Sequence, residues 1–307
     1  MIETRRPDPV LGFYGPESRM WRINREAVLL GAGPAATLLQ VAHPLIAEGV
    51  AQHSDFQGDP FGRLRRTLST TMDLVFGDGR TAEAAIRRLN GVHASVTGPV
   101  SDPLAVSSTG AEGYRALDPE LLLWVQVTLI VTSARAYGRW VGPLSRQDLE
   151  AFWSEARTVG VRMGIPLRVS PADWPALMGY WRRMLAPDGP IQVTDTARLL
   201  APMLVRPPLP LTPGWAVDLL ALPGLALLPE RIREAYGIPW GIGHRRAAAI
   251  TGRCVRLWTA AVPGAWRSMP QARAADRRMP ARSVPARQGP AGVRLRYAER
   301  PEEPERA

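Results

Sequence analysis

Apolar side chains recur along this chain with the 3.6-residue period of an α-helix, and the strict alternation of a half-buried strand is rare. Residues 24–42 place Val28, Leu29, Leu38, Leu39 and Ala42 at helical spacing, with an interruption between Gly31 and Pro34. His43 precedes Pro44, which disfavours helical geometry at the histidine; one helix is expected to end there and the next to open on Pro44. Asp59-Pro60 repeats the signal and predicts an Asp59-capped helix to about Phe76. Asp78-Gly79 marks a turn, after which Thr81 is expected to cap a helix to about Val96. A loop rich in Gly, Ser and Pro covers 97–113. Asp118-Pro119 starts a long apolar helix through Trp140, and Ser145 begins another with Asp148 in its first turn, where a carboxylate complements the helix dipole. Further helices are expected at 171–185, 193–204, 214–228 and 241–260.

The fold class read from this pattern is all-α, a single domain over residues 1–279, followed by a Pro-, Arg- and Glu-rich tail (280–307) with too few large apolar residues to pack. No internal repeat, GxGxxG, Walker A or EF-hand pattern occurs. The N-terminus, MIETRRPDPV, lacks the apolar run of a signal peptide. The aliphatic window 121–131 falls short of the roughly 20 residues of a spanning helix. Residues 199–229 are apolar but contain seven prolines, which are expected to break them into short helices, a pocket wall or a patch touching a membrane. The expected location is cytoplasmic, with peripheral membrane contact left open.

Charge changes the picture in one respect. The formal net charge is +10 and every basic residue is arginine, so a P-loop, Schiff-base or general-base lysine is excluded. Residues 1–243 hold 24 Arg against 23 acids, whereas 244–297 hold 12 Arg against Asp276 alone. The basic charge therefore belongs to the C-terminal end. Its arginines are interrupted by prolines and framed by no nucleic-acid motif, so nucleic acid ranks low as a partner and an anionic membrane surface explains the charge as well. The lone Cys254 permits no internal disulfide, and beside Val255 and Leu257 it is expected to be a small apolar filler.

Three of the four histidines, His43, His53 and His93, fall within one stretch. On a helical wheel His93 shares the face of Leu89, Ile86, Ala85 and Ala82, so its imidazole points inward and requires a hydrogen-bond acceptor or a metal. In the preceding helix Arg63, Arg66 and Thr67 share a face beside the apolar one. Two guanidinium groups there call either for an anion or for carboxylate partners such as Glu48, Asp55 and Asp59.

The run LLQVAHPLIAEGVAQHSDFQGDPFGRLRRTLSTTMDLVFGD, with GVHASVTG, YRALDP, Trp124-Val125 and LLPERIREAYGIPW, closely resembles the DUF2236 family, which holds the catalytic domain of latex-clearing rubber oxygenases and of MpaB-type oxygenases. The resemblance runs from about residue 10 to about residue 279. It implies a globin-like helical core holding one haem b, used with dioxygen on hydrophobic, often isoprenoid, substrates. Carried over, His93 is the proximal ligand of the haem iron, and Arg63 and Thr67, in the family's R-x-x-x-T pattern, line the haem pocket. Arginine can pair with a propionate and a hydroxyl can hydrogen-bond to oxygen or water.

Two positions depart from the family. Where rubber oxygenases have a lysine able to reach the distal iron position, this chain has Arg66, a permanently protonated and poor iron ligand. The Trp-Val-His of many relatives is Trp124-Val125-Gln126, and glutamine cannot titrate. His43 and His53 match family words and are expected to tie helix ends; His244 is expected at the surface. The leading expectation is a haem-dependent oxygenase acting on a hydrophobic small molecule with dioxygen. Its rival is a catalytically silent lipid-binding or membrane-surface protein on the same fold. The sequence names no redox partner.

Overall fold

The computed structural model describes residues 6–53, 60–206 and 212–279. Asp59 and residues 280–307, read above as a cap and a tail, lie outside them. Helix α1 (Arg19–Asn24) is capped by Ser18, whose hydroxyl accepts from the Trp21 amide. A 3₁₀ segment (Ala27–Ala32) then leads into α2 (Gly33–Val41) and α3 (Pro44–His53). The chain bends by 106° between these two helices, where His43-Pro44 forbids a continuous one.

Helices α4 (Pro60–Phe76) and α5 (Gly79–Ser95) form a hairpin. Its cap differs from expectation: Asp78 is the capping residue, and its carboxylate accepts from the Thr81 amide at 2.7 Å. An aspartate three residues upstream is the stronger acceptor for an exposed helical N–H, so α5 starts a turn early.

The segment expected as a loop is built. Strands β1 (Thr97–Pro99) and β2 (Gly113–Arg115) pair antiparallel around α6 (Pro103–Thr109). Asp102 caps α6 through the Leu104 and Ala105 amides, and Asp102-Pro103 is the same start signal as Asp118-Pro119. Apart from this ribbon and two isolated bridges the regular secondary structure of the described residues is helical, and the fold is all-α.

Helix α7 (Pro119–Trp140) runs through the middle and is embraced by α2, by α8 (Arg146–Gly160) and by α13 (Ile242–Ala261). Ser145 and Asp148 close a capping box at the start of α8. A 3₁₀ turn (Val161–Met163) follows, then α9 (Trp174–Met184), α10 (Asp195–Val205), α11 (Gly214–Leu225) and α12 (Glu230–Ala235); α13 leads to α14 (Gly264–Arg267) and α15 (Pro270–Arg278).

The prolines of the apolar stretch do not all end helices, since Pro202 lies inside α10 and Pro223 inside α11. Each interior proline costs about 3 kcal/mol. Burial of Ala197, Leu200 and Ala201 on one helix, and of Ala221 and Leu225 on the other, offsets that cost. Gly224 lets α11 lie directly against the Gly31 carbonyl, where a Cβ would collide with backbone.

Trp21, Trp124, Trp140, Trp153, Phe76 and Phe152 are fully buried. Trp21 meets Phe76 edge-on at 5.0 Å and Trp124 stacks on Trp181 at 5.6 Å, geometries favoured by ring quadrupoles. Trp124 also donates to the Leu39 carbonyl at 2.9 Å, joining α7 to α2. Among the described residues α7 is long and apolar enough to cross a membrane, as is the bent pair Ala27–Val41 and Pro44–His53 if taken as one span; 61% of the α7 window is buried inside the protein, as in a core helix.

Candidate functional site

The α4–α5 hairpin is packed at its turn and open at its far end. Met72, Val75 and Phe76 on α4, and Ala82, Ala85 and Ile86 on α5, are buried. Further from the turn Arg65, Arg66 and Thr67 are exposed on α4, as are Gly91, Val92 and Ala94 on α5. His93 sits half-buried at this boundary, on the face of α5 that also carries Leu89 and Ile86.

Its Nδ1 is enclosed and has no hydrogen-bond partner among the described residues. Burial lowers the imidazole pKa, which favours the neutral form, the one with a lone pair to donate. His43 Nδ1 is enclosed in the same way, so what sets His93 apart is its place at the open end of the hairpin rather than in the core.

Two sets of contacts fix where His93 stands. Arg88 reaches from α5 to Thr70 at 3.4 Å and to Asp73 at 3.0 Å on α4. Continued along both helices, this register sets His93 level with 65–68, the turn carrying Arg66 and Thr67. On the other side Asn90 donates to the Arg162 carbonyl at 3.1 Å, and Arg162 donates to Glu83 at 2.9 Å. Arg63 lies on α4 one turn before Thr67, and its side chain is outside the described residues. The structure thus sets His93 at the height of the α4 turn that carries Arg66 and Thr67, both of them exposed.

The other singled-out positions tie the scaffold. His43 is buried at the α2–α3 bend, where burial drives its pKa down to about 4 against the opposing charge of Asp118; its carbonyl accepts from the Ile46 and Ala47 amides. His53 Nε2 lies 3.0 Å from the Thr97 carbonyl, joining the end of α3 to β1. Gln126 donates to the Ala156 carbonyl at 2.8 Å, so it faces α8 and links it to α7. His244 is exposed and stacks on Trp240.

Cys254, expected as apolar filler, is exposed. The buried side of α13 runs through Ala248, Gly252 and Thr259, and position 254 falls on the opposite side.

Glu48, considered above as an arginine partner, is engaged elsewhere. Its buried carboxylate accepts from Gln52 at 2.8 Å, from the Ser101 hydroxyl at 2.9 Å and from the Asp102 amide at 3.1 Å. Asp102 in turn accepts from the Thr196 amide and hydroxyl, each at 3.0 Å, which joins α3, α6 and α10. Asp55 and Asp59 lie outside the described residues. Sequence reasoning passed over this network, although Asp102-Pro103 carried a visible cap signal.

An open cleft of about 790 Å³ lies between α7, α9 and residues 226–229, lined by Arg135, Met178, Trp181, Arg182 and Leu227 among others. It holds no His, Cys or carboxylate, and His93 is not among its lining. Residues 226–229 therefore wall a cleft against α7 and α9. Among the described residues no three His, Cys, Asp or Glu side chains gather to cage a bare metal ion.

The model of the family "ER-bound oxygenase mpaB/B'/Rubber oxygenase, catalytic domain" matches residues 20–257, from α1 through most of α13. The chain belongs to this family. As a member of this oxygenase family it carries His93, Arg63, Arg66 and Thr67 inside the matched region. Two curated relatives, the uncharacterized proteins Rv2237 of Mycobacterium tuberculosis and Mb2261 of Mycobacterium bovis, are each 29% identical over 159 residues. That alignment covers 50% of this chain and 58% of theirs. No solved structure matches the chain.

Proposed function

We propose that this family member is a haem b-dependent oxygenase acting with dioxygen on a hydrophobic, isoprenoid or lipid-like small molecule. The observation that carries the reading is His93: a half-buried imidazole whose pKa burial lowers, with an enclosed Nδ1 that has no partner among the described residues, level with the α4 turn that carries Arg66 and Thr67, in a chain of an oxygenase family. The residues present fit the group. A single imidazole suffices for an iron that brings its own macrocycle, and the open end of the hairpin exposes Val92 and half-exposes Leu89 for apolar contact with a flat ring.

Haem would supply the iron at which dioxygen is activated, and the chain's residues would do the rest. His93 would hold the iron through a ring nitrogen, with α5 fixed on both flanks by Arg88 and Asn90. Arg63 would pair with a propionate and orient the ring. Thr67, four residues on and on the same side of α4, would offer a hydroxyl to bound oxygen or water. A guanidinium offers no lone pair to a metal, so Arg66 would not ligate the iron and would contribute a positive field near the site. The reading is tested by oxygen uptake: haem-loaded protein consumes dioxygen with an isoprenoid lipid, and His93→Ala does not. Uptake that His93→Ala leaves unchanged overturns the assignment of His93.

Arg66 in the family's lysine position is the feature favouring a silent hydrophobic-ligand binder instead. Gln126 does not add to that reading, because its amide is committed to α8.

A further inference from the structure

Helix α13 turns Ala248, Gly252 and Thr259 toward the rest of the protein and large aliphatic side chains away from it. Ile242, Ile250 and Leu257 are 62%, 59% and 70% exposed; Trp258 beside them is 46% exposed and Trp266 on α14 is 80% exposed. At 100° per residue Ile242, Arg246, Ile250, Arg253 and Leu257 form one outward stripe, in which aliphatic and arginine residues alternate. Arg245 and Arg256 flank it, and all four arginines are exposed. No acidic residue occurs between Glu234 and Asp276. A merely solvated helix face carries mixed charges and few large aliphatics, so this composition requires a partner that is apolar and anionic together.

We propose that the α13–α14 face docks this protein on an anionic lipid surface. The aliphatic side chains and Trp266 enter the headgroup–acyl boundary while Arg246 and Arg253 extend their guanidinium groups back to the phosphates. Charge separates this occupant from the alternatives. A second copy of the chain would set arginine against arginine with no carboxylate in the stripe to receive it. A nucleic acid would satisfy the arginines but leave Ile242, Ile250 and Leu257 in water. The proposal stands independently of the haem reading.

The test is co-sedimentation of the full chain with phosphatidylcholine vesicles or with vesicles containing phosphatidylglycerol. Binding is expected with the anionic vesicles, falling as salt rises. Arg246→Gln with Arg253→Gln is expected to weaken it by about fivefold per arginine, and Ile250→Ser with Leu257→Ser by at least about tenfold. All four side chains are exposed, so the variants should melt like the parent. On the unsubstituted chain, lipid with brominated acyl chains should quench a tryptophan signal that Trp266→Phe removes. Equal binding to both vesicle types, pelleting indifferent to either pair of substitutions, or a dimer that Ile250→Ser with Leu257→Ser dissolves would overturn the proposal.

Discussion

Arg88 on α5 donates to Asp73 on α4 at 3.0 Å, bridging the two helices that carry the candidate site. Both partners are partly exposed, so the pair contributes little to stability, about 0.5 kcal/mol. Its consequence is positional, because it fixes the register that brings His93 level with Arg66 and Thr67. Arg88→Met is therefore expected to leave the urea midpoint nearly unchanged and to weaken retention of added haem severalfold. A stability loss of several kcal/mol, or unchanged haem retention, would assign Arg88 a different part.

The contact between α7 and α8 gives a prediction whose sign is opposite to helix propensity. A Cβ on Gly160 would stand 2.8 Å from Gln126 Nε2, the atom that donates to Ala156. Gly→Ala in a helix ordinarily stabilises by up to about 1 kcal/mol. Here Gly160→Ala displaces the amide and is expected to destabilise by about 1 kcal/mol, the worth of the lost hydrogen bond. In a Gln126→Ala background the same change should be neutral or stabilising. Denaturant melts of the double-mutant cycle read the coupling directly.

His43 sets a pH dependence. Its folded pKa is depressed by burial from 6.5 to about 4, so the unfolded chain binds the proton more readily. The stabilisation from keeping it neutral is complete above the unfolded value and is lost as pH falls from about 6.5 toward 4, amounting to about 3 kcal/mol in all. Glu26 and Glu155, raised by burial, act in the opposite direction. The comparison that isolates His43 is the stability difference between wild type and His43→Gln at pH 7 and pH 5, which should shrink at the lower pH.

Cys254 is exposed on α13, so the native protein should react with a thiol reagent at one equivalent without denaturant. A thiol that reacts only after unfolding would return Cys254 to the core.

Much of the architecture was legible in local chemistry. Asp-Pro and His-Pro pairs marked the starts of α3, α4 and α7, and Ser145 with Asp148 announced α8, because capping and proline geometry act within a few residues. The inward face of α5 followed from periodicity alone. The helices expected at 193–204 and 214–228 already enclosed Pro202 and Pro223. What failed depended on distant partners: Cys254 faces outward because α11 and α7 pack on the other side of α13. The ribbon of β1 and β2 was hidden by its short strands. In the site, the orientation of His93 could be read from the wheel, whereas its orphaned Nδ1 and the Glu48–Asp102–Thr196 network exist only once the helices are assembled.

The most direct measurement is the absorption spectrum of the purified protein after addition of haemin, beside that of His93→Ala at equal concentration. The account predicts a Soret band of bound haem in the wild-type protein that is weakened or shifted in the variant, both proteins remaining folded by circular dichroism. A folded wild-type protein that takes up no haemin, or a variant whose spectrum is indistinguishable from it, would contradict the account.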